Sequence, residues 1–343
     1  MKHFVETVKK DSKGRYVVRL PWLENKEVLA ENKEIAEKRC LITTQKLIKE
    51  GRFADYDNVF KEWLNENIIE EVPTDELKND AHYLPHRGVF KKDSTTNVRP
   101  VFDASCKSKN SFSLNQCLEK GPNLIEEVPP LLMRFRKREI GVVSDIRKAF
   151  LQISVAEEDQ DYLRFLWWED YPGRKFKVYR HRRVVFELTS SPFLLIAVLK
   201  LVLDENKLRF PETVRKLEKS FYVDNCITSV SDEEELMKFI RKDKEMLSNS
   251  CFDLRGWEHT SITLTNDMVK PIPVLGLLWD NHADVLFCNV ENINLKGEFI
   301  TRRDILSAVH RIFDPIGVLC PVTVRLKLIV QESWTLKFGW DEI

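Results

Sequence analysis

The chain has 343 residues, of which 43% are hydrophobic and 31% charged. That balance excludes a disordered chain, and the length calls for two or three packed subdomains rather than one small core. Lys plus Arg and Asp plus Glu number 54 each, so bulk charge argues against a nucleic-acid binder unless the cations gather on one face.

Met1-Lys2-His3-Phe4 runs into a Lys-rich stretch with no apolar segment of the signal-peptide kind. Arg15-Tyr16-Val17-Val18-Arg19-Leu20 alternates before Pro21, the pattern of a strand. From Asn32 to about Glu71, Ile35, Leu41, Leu47, Val59, Trp63 and Ile68 recur at helical spacing, and Gly51 and Asp55 break the run into two helices. Residues 1–80 are therefore expected to form a mainly helical lead-in. Tyr83-Leu84-Pro85 opens an extended segment, and Val89-Phe90 with Val98-Arg99-Pro100-Val101-Phe102 predicts a hairpin around a polar turn at 92–97. Pro129-Pro130 starts a helix that ends in Arg134, Arg136, Lys137 and Arg138. Ile140-Gly141-Val142-Val143-Ser144-Asp145 is an apolar strand ending in a carboxylate.

Aromatic-rich strands are expected at 162–168 and 176–179, around Pro172-Gly173. Ser190-Ser191-Pro192 then starts an apolar helix, whose run 193–203 is interrupted by Lys200 and is far short of the ~20 residues of a membrane span. Residues 220–230 predict two strands joined at a tight Asp224-Asn225 turn. Residues 232–247 form an amphipathic helix with an acidic first turn and later lysines, as the helix dipole prefers.

Cys40, Cys106, Cys117, Cys226, Cys251, Cys288 and Cys320 are scattered with no Cys-x-x-Cys pair, as reduced thiols are in an intracellular protein. A cytoplasmic setting with no membrane partner is the expectation. His82 and His86 flank Pro85 and predict a structural or turn role rather than a metal site.

Asp145 and Asp224 each terminate an apolar strand, where structure alone gives a carboxylate little reason to be. The chain between them has room for a strand, a hairpin and a helix, enough to return beside the first strand. Two adjacent strands ending in Asp hold two anions close together, and paired Mg²⁺ ions ~3.5–4 Å apart both relieve that repulsion and catalyse in-line displacement at phosphorus. Either aspartate alone reads as an ordinary turn residue. The most basic segment, Arg174 to Arg183, alternates so that Lys175, Lys177 and Tyr179 share one strand face and Phe176, Val178 and Arg180 the other. With Arg134 and Arg136, residues Lys175, Lys177 and Arg182 are the expected contacts to nucleic-acid phosphates. The competing reading is a solvated edge guarded against aggregation.

Tyr222-Val223-Asp224-Asn225 resembles the Tyr-x-Asp-Asp box of reverse transcriptases, with Asn225 in place of the second Asp. Ser144-Asp145-Ile146-Arg147-Lys148-Ala149-Phe150-Leu151-Gln152-Ile153 is similar to that family's first catalytic motif, and Phe186-Glu187-Leu188-Thr189-Ser190-Ser191-Pro192-Phe193 to its nucleotide-contacting motif. The flavour resembles BEL/Pao-type LTR retrotransposons. Tyr83-Leu84-Pro85-His86, Arg99-Pro100-Val101-Phe102-Asp103-Ala104-Ser105, Ser113-Leu114-Asn115, Gly121-Pro122-Asn123-Leu124 and Arg164-Phe165-Leu166-Trp167 carry that likeness, with Arg303-Asp304-Ile305-Leu306-Ser307 and Phe313-Asp314-Pro315-Ile316-Gly317.

The resemblance implies an α+β fold, a right-hand polymerase of fingers, palm and thumb with an antiparallel palm sheet flanked by helices. Fingers and palm would fill 81–290, and 291–343 would begin a thumb or connection, stopping before ribonuclease H. The implied reaction is RNA-directed DNA synthesis on an RNA or DNA template–primer with dNTPs and Mg²⁺ or Mn²⁺, inside a larger polyprotein whose other parts are partners. Asp145 and Asp224 would hold the metals, with Asn225 beside them as the third catalytic position. Phe150 would lie beneath the incoming sugar and exclude a 2′-hydroxyl, although a core Phe is a serious competitor. Arg99 would grip the triphosphate, with Lys91 or Lys92 assisting and Phe186 and Glu187 in the nucleotide motif. Gly276 and Trp279, in Leu275-Gly276-Leu277-Leu278-Trp279, would support the primer end, and Leu254-Arg255-Gly256-Trp257 occupies the preceding motif.

Two departures from the pattern predict a weak or inactive copy. Asn225 removes one negative charge from a site built for two dications. Glu187 stands where the family has a glycine for close backbone approach, and adds bulk and a negative charge near an anionic substrate. Both are single G-to-A changes from the family's codon types, as in a decaying transposon. A catalytically dead nucleic-acid-binding remnant, or a partner subunit of a dimeric enzyme, are the alternatives. No Asp-Thr-Gly or Asp-Ser-Gly triplet occurs, so a retroviral-type aspartic protease site is absent.

Overall fold

The computed structural model describes residues 1–23, 29–90, 98–171, 175–260, 270–291, 293 and 300–342. Lys91, Lys92, the polar turn at 92–97, the Pro172-Gly173 turn and Arg174 lie outside them. The fold is α+β, and the chain divides into two compact units that cross the boundaries expected at 80 and 290. One comprises Met1–Ile125, Ile146–Glu218 and Arg241–Leu254; the other comprises Glu126–Asp145, Lys219–Ile240 and Arg255–Ile343.

In the first unit the helices Lys33–Lys49 and Phe53–Asn65 are separated at Gly51, whose φ of +65° suits the residue that ends a helix. They pack on an antiparallel sheet ordered Ile69–Glu71, Lys175–His181, Arg164–Asp170. The hairpin His86–Phe90 and Val98–Phe102 pairs His86 with Phe102. Tyr56, Phe60, Phe102, Phe165 and Trp167 are all buried and surround the imidazoles of His86 and His181 with aromatic rings. The expected alternation on the basic strand holds: Phe176 stacks on Trp168, while Lys177 reaches Glu71 and Glu169. Arg164, fully buried, is held by Asp161 at 2.9 Å and by the carbonyls of Glu76 and Leu77. The helix Ser191–Asn206 is mostly apolar and buried at ten positions, the pattern of a core helix. Among the described residues no helix is long and apolar enough to cross a membrane.

The second unit is organised by a four-stranded sheet ordered Phe221–Tyr222, Asn225–Val230, Ile140–Ile146, Leu254–His259. One side packs on the helix Val128–Phe135 and the hairpin Ile272–Val274 with Leu277–Asp280, through Leu132, Phe135, Val143, Ile227, Val274, Leu277 and Trp279. A second cluster joins Ile140, Val142, Val230 and Leu236, with Trp257 packed against it. The helix Arg302–Arg311 starts in a capping box made by Thr301 and Asp304. It is followed by the helix Cys320–Thr335.

Candidate active site

Asp145 is brought to the site by strand pairing. Ile140–Ile146 is largely apolar and buried at every position but Asp145, which fixes its register against Asn225–Val230. That register places Ser144 opposite Cys226 and Asp145 opposite Asn225, and Tyr222 pairs with Asn225 from the other side. The two-residue turn is Val223-Asp224, one residue earlier than the sequence predicts. Asn225 is held in the strand by its pairing with Asp145, so Val223 takes the left-handed conformation at φ +58°. A β-branched residue there costs on the order of 1–2 kcal/mol, strain of the kind that collects at functional sites.

Asp145 and Asp224 are half-buried and Asn225 is exposed. The Asn225 amide Nδ2 donates to Asp224 Oδ1 at 2.9 Å. Across the sheet from Asn225, the Leu254–His259 strand approaches Asp145. Arg255 Nε lies 3.7 Å from Asp145 Oδ2, and Gly256, at φ +60°, lies so close that a Cβ on it would meet Asp145 Oδ1 at 2.8 Å. The side chains gathered here are thus two carboxylates and an amide. Among the described residues no group of three or more His, Cys, Asp or Glu is disposed to hold a metal. Carboxylate and amide oxygens are donors of the kind Mg²⁺ takes, but a third carboxylate that would balance a second dication is not among them.

The other expected contact residues in this unit have partners within the fold. Trp279 has no exposed surface; its ring packs on Phe135 and its Nε1 donates to Asp284 at 3.1 Å. Gly276, at φ +86°, lies against the Phe313 ring, which a Cβ would meet at 2.4 Å. Arg134 donates to the Lys219 carbonyl at 2.9 Å and pairs with Glu126, and Arg136 pairs with Asp284. Asp284, which accepts from both Arg136 and Trp279, is a hub that no sequence motif marks.

In the first unit Phe150 is buried, 6% exposed, with its ring edge-on to the 64%-exposed Phe186. Glu187 is exposed, and its carbonyl accepts from Asn115 Nδ2 at 3.1 Å while Asn115 Oδ1 accepts from Thr189 N at 2.8 Å. Asn115 therefore staples the 187–189 loop, a role that the Ser113-Leu114-Asn115 motif does not disclose. Arg99 is exposed on the hairpin strand, opposite Val89. Lys175 pairs with Glu169 at 2.8 Å, Lys177 with Glu71 at 2.8 Å and Arg182 with Glu70 at 3.4 Å. Burial opposes the charge of Arg180, but the hydrogen bonds it donates to Glu70, Asp161 and Glu76 raise its pKa overall.

Comparison with known proteins finds two kinds of likeness. A family model described as "Pao retrotransposon-like RNaseH-like domain" matches residues 301–343, the segment expected to stop short of ribonuclease H. The foamy viral protease–reverse transcriptase solved with an RNA/DNA hybrid is similar over 84% of this chain, at 14% identity and a TM-score of 0.55. A foamy viral protease–reverse transcriptase dRH solved with ds DNA is similar over 79%, at 14% identity and a TM-score of 0.51. The chain spans 34% and 42% of those two proteins. No curated protein matches. The fold is thus like that of retroviral reverse transcriptases, and the C-terminal match supports a Pao- or retroviral-type polyprotein region.

Proposed function

We propose that the chain is the RNA-directed DNA polymerase region of a BEL/Pao-type retrotransposon polyprotein, weakened by Asn225 and Glu187. The reading includes a right-hand arrangement of fingers, palm and thumb. The observation that carries it is the register pairing of Asp145 with Asn225, which gathers Asp145, Asp224 and Asn225 at one end of an antiparallel sheet. The two foamy viral proteins were solved with an RNA/DNA hybrid and with ds DNA, which supports a template–primer as partner here.

Bound Mg²⁺ or Mn²⁺ would supply the charge that polarises the triphosphate of a dNTP and activates the attacking 3′-hydroxyl. Asp145 and Asp224 would hold it, and Asn225 orients Asp224 through its amide. Phe150, braced by Phe186, would wall the sugar side against a 2′-hydroxyl. Arg99 would grip the triphosphate in the bidentate way guanidinium allows, and Lys91 would assist. Loss of one preorganised charged group costs about 2–4 kcal/mol, on the order of a hundredfold or more in rate.

Metal-dependent primer extension by the chain as it stands, by Asn225→Asp and by Asn225→Asp with Glu187→Gly tests the reading. Extension is expected to be weak in the first and to rise on the order of a hundredfold in the variants. Full extension by the unaltered chain would sink the impairment. The second reading, a nucleic-acid-binding remnant, is favoured by the partners already on the carboxylates: the Asn225 amide on Asp224 and Arg255 beside Asp145. Duplex binding with no extension in any variant would select it.

A further inference from the structure

We infer that Arg255 is an internal counter-cation for Asp145, occupying in charge the place of a metal and lowering the site's affinity for a divalent ion. The inference rests on reading Asp145 and Asp224 as the metal-holding pair. Three features converge on the Asp145 carboxylate from the Leu254–His259 strand. Arg255 Nε lies 3.7 Å from Oδ2. Gly256, with a positive φ and no Cβ, allows the backbone to close on Oδ1, where any side-chain carbon would stand at 2.8 Å. Arg255 Nε is shielded from solvent and, among the described residues, makes no hydrogen bond.

Stability does not explain this arrangement. The Arg255 and Asp145 side chains are 35% and 41% exposed, and ion pairs of that kind add little. At 3.7 Å the pair is too long for a hydrogen bond, so neither partner is locked to the other. The consequence is electrostatic. Two carboxylates present a charge of −2 to a cation; Arg255 reduces it to −1, on the same side chain a metal must use. The Asn225 amide already donates to Asp224, so each carboxylate carries a built-in partner. A unit positive charge a few ångströms from a dication in a half-exposed site lowers its affinity by about tenfold or more.

The test is Mn²⁺ binding to the full chain, read from loss of the free-ion EPR signal, with circular dichroism confirming that each variant is folded. Arg255→Gln is expected to bind Mn²⁺ about tenfold more tightly than the parent. Arg255→Lys, which keeps the charge, is expected to stay close to the parent. Asp145→Asn added to Arg255→Gln is expected to abolish the gain. If Arg255→Gln matches the parent while Asn225→Asp binds more tightly, the inference is overturned and the metal-site reading stands. If no variant binds Mn²⁺, Asn225→Asp included, both fall.

Discussion

Acidification should destabilise the first unit through two buried imidazoles, those of His86 and His181. His86 is fully enclosed; its Nδ1 meets the Tyr56 hydroxyl at 2.8 Å and its Nε2 the Leu166 carbonyl at 2.9 Å. Burial pushes its pKa down to about 4, with the Leu166 hydrogen bond opposing and the charge of Arg39 adding to the fall. His181 lies edge-on to Phe102 at 4.4 Å, and among the described residues neither ring nitrogen has a partner. Burial and the nearby His86 take its pKa down to about 3. A histidine with a depressed folded pKa stabilises the fold above its unfolded pKa of about 6.5, and that stability is lost as pH falls toward the folded value. From pH 7.5 to pH 5 the loss is about 2 kcal/mol for each ring, about 4 kcal/mol together. That is a large part of a typical stability of about 5–15 kcal/mol. Urea unfolding followed by tryptophan fluorescence, repeated across this range, reads it directly. His181→Phe places an apolar ring in an aromatic cage and should remove about half of the pH slope. Parallel curves for parent and variant would refute the reasoning.

Two further substitutions probe the same physics elsewhere. Asp243 is fully buried, among the described residues neither carboxylate oxygen finds a partner, and burial raises its pKa well above the usual range. Its raised folded pKa means that stability is greatest below the unfolded value of about 4 and declines as pH rises. Asp243→Asn should therefore raise the urea midpoint at pH 7 and leave it unchanged near pH 3; a lower midpoint at pH 7 would contradict this. Gly276→Ala must place a Cβ 2.4 Å from the Phe313 ring at a positive φ, and should lower stability by about 1–3 kcal/mol, checked by thermal melting. Pairing it with Phe313→Leu should recover the clash portion only.

The strands that carry Asp145 and Asp224 are legible in the sequence because runs such as Ile140 to Ser144 are apolar with a lone carboxylate at the end. A period-two element buried on both faces has few other readings. The turn between Tyr222 and Asn225 is displaced by one residue for an equally physical reason. Local preference puts Asp and Asn in the turn, but the pairing of Asn225 with Asp145 outweighs it and leaves Val223 to absorb the positive φ. Gly276 and Trp279 are recognisable as parts of a hairpin. Their burial is not, because it depends on Phe313 and Phe135, 37 and 144 positions away in sequence. Asn115 and the Arg255-Gly256 approach to Asp145 are long-range contacts of the same kind.

The balance of 54 cations and 54 anions acquires a meaning once the pairs are placed. On the Lys175–His181 strand the cations answer carboxylates from the Ile69–Glu71 strand and from Glu169, so local neutrality is built into the sheet. This does not remove them all from competition for phosphate. Surface pairs are worth about 0–1 kcal/mol, so a cation can exchange its carboxylate for a phosphate at little cost where it is exposed. Lys175, 76% exposed, can make that exchange. Arg180, 12% exposed and shared among Glu70, Glu76 and Asp161, cannot without breaking its pairs with three carboxylates at once. The strand thus separates into a structural cation at its buried end and exchangeable ones toward its start. A basic count taken from sequence overstates the cations open to a phosphate by the first kind and not by the second.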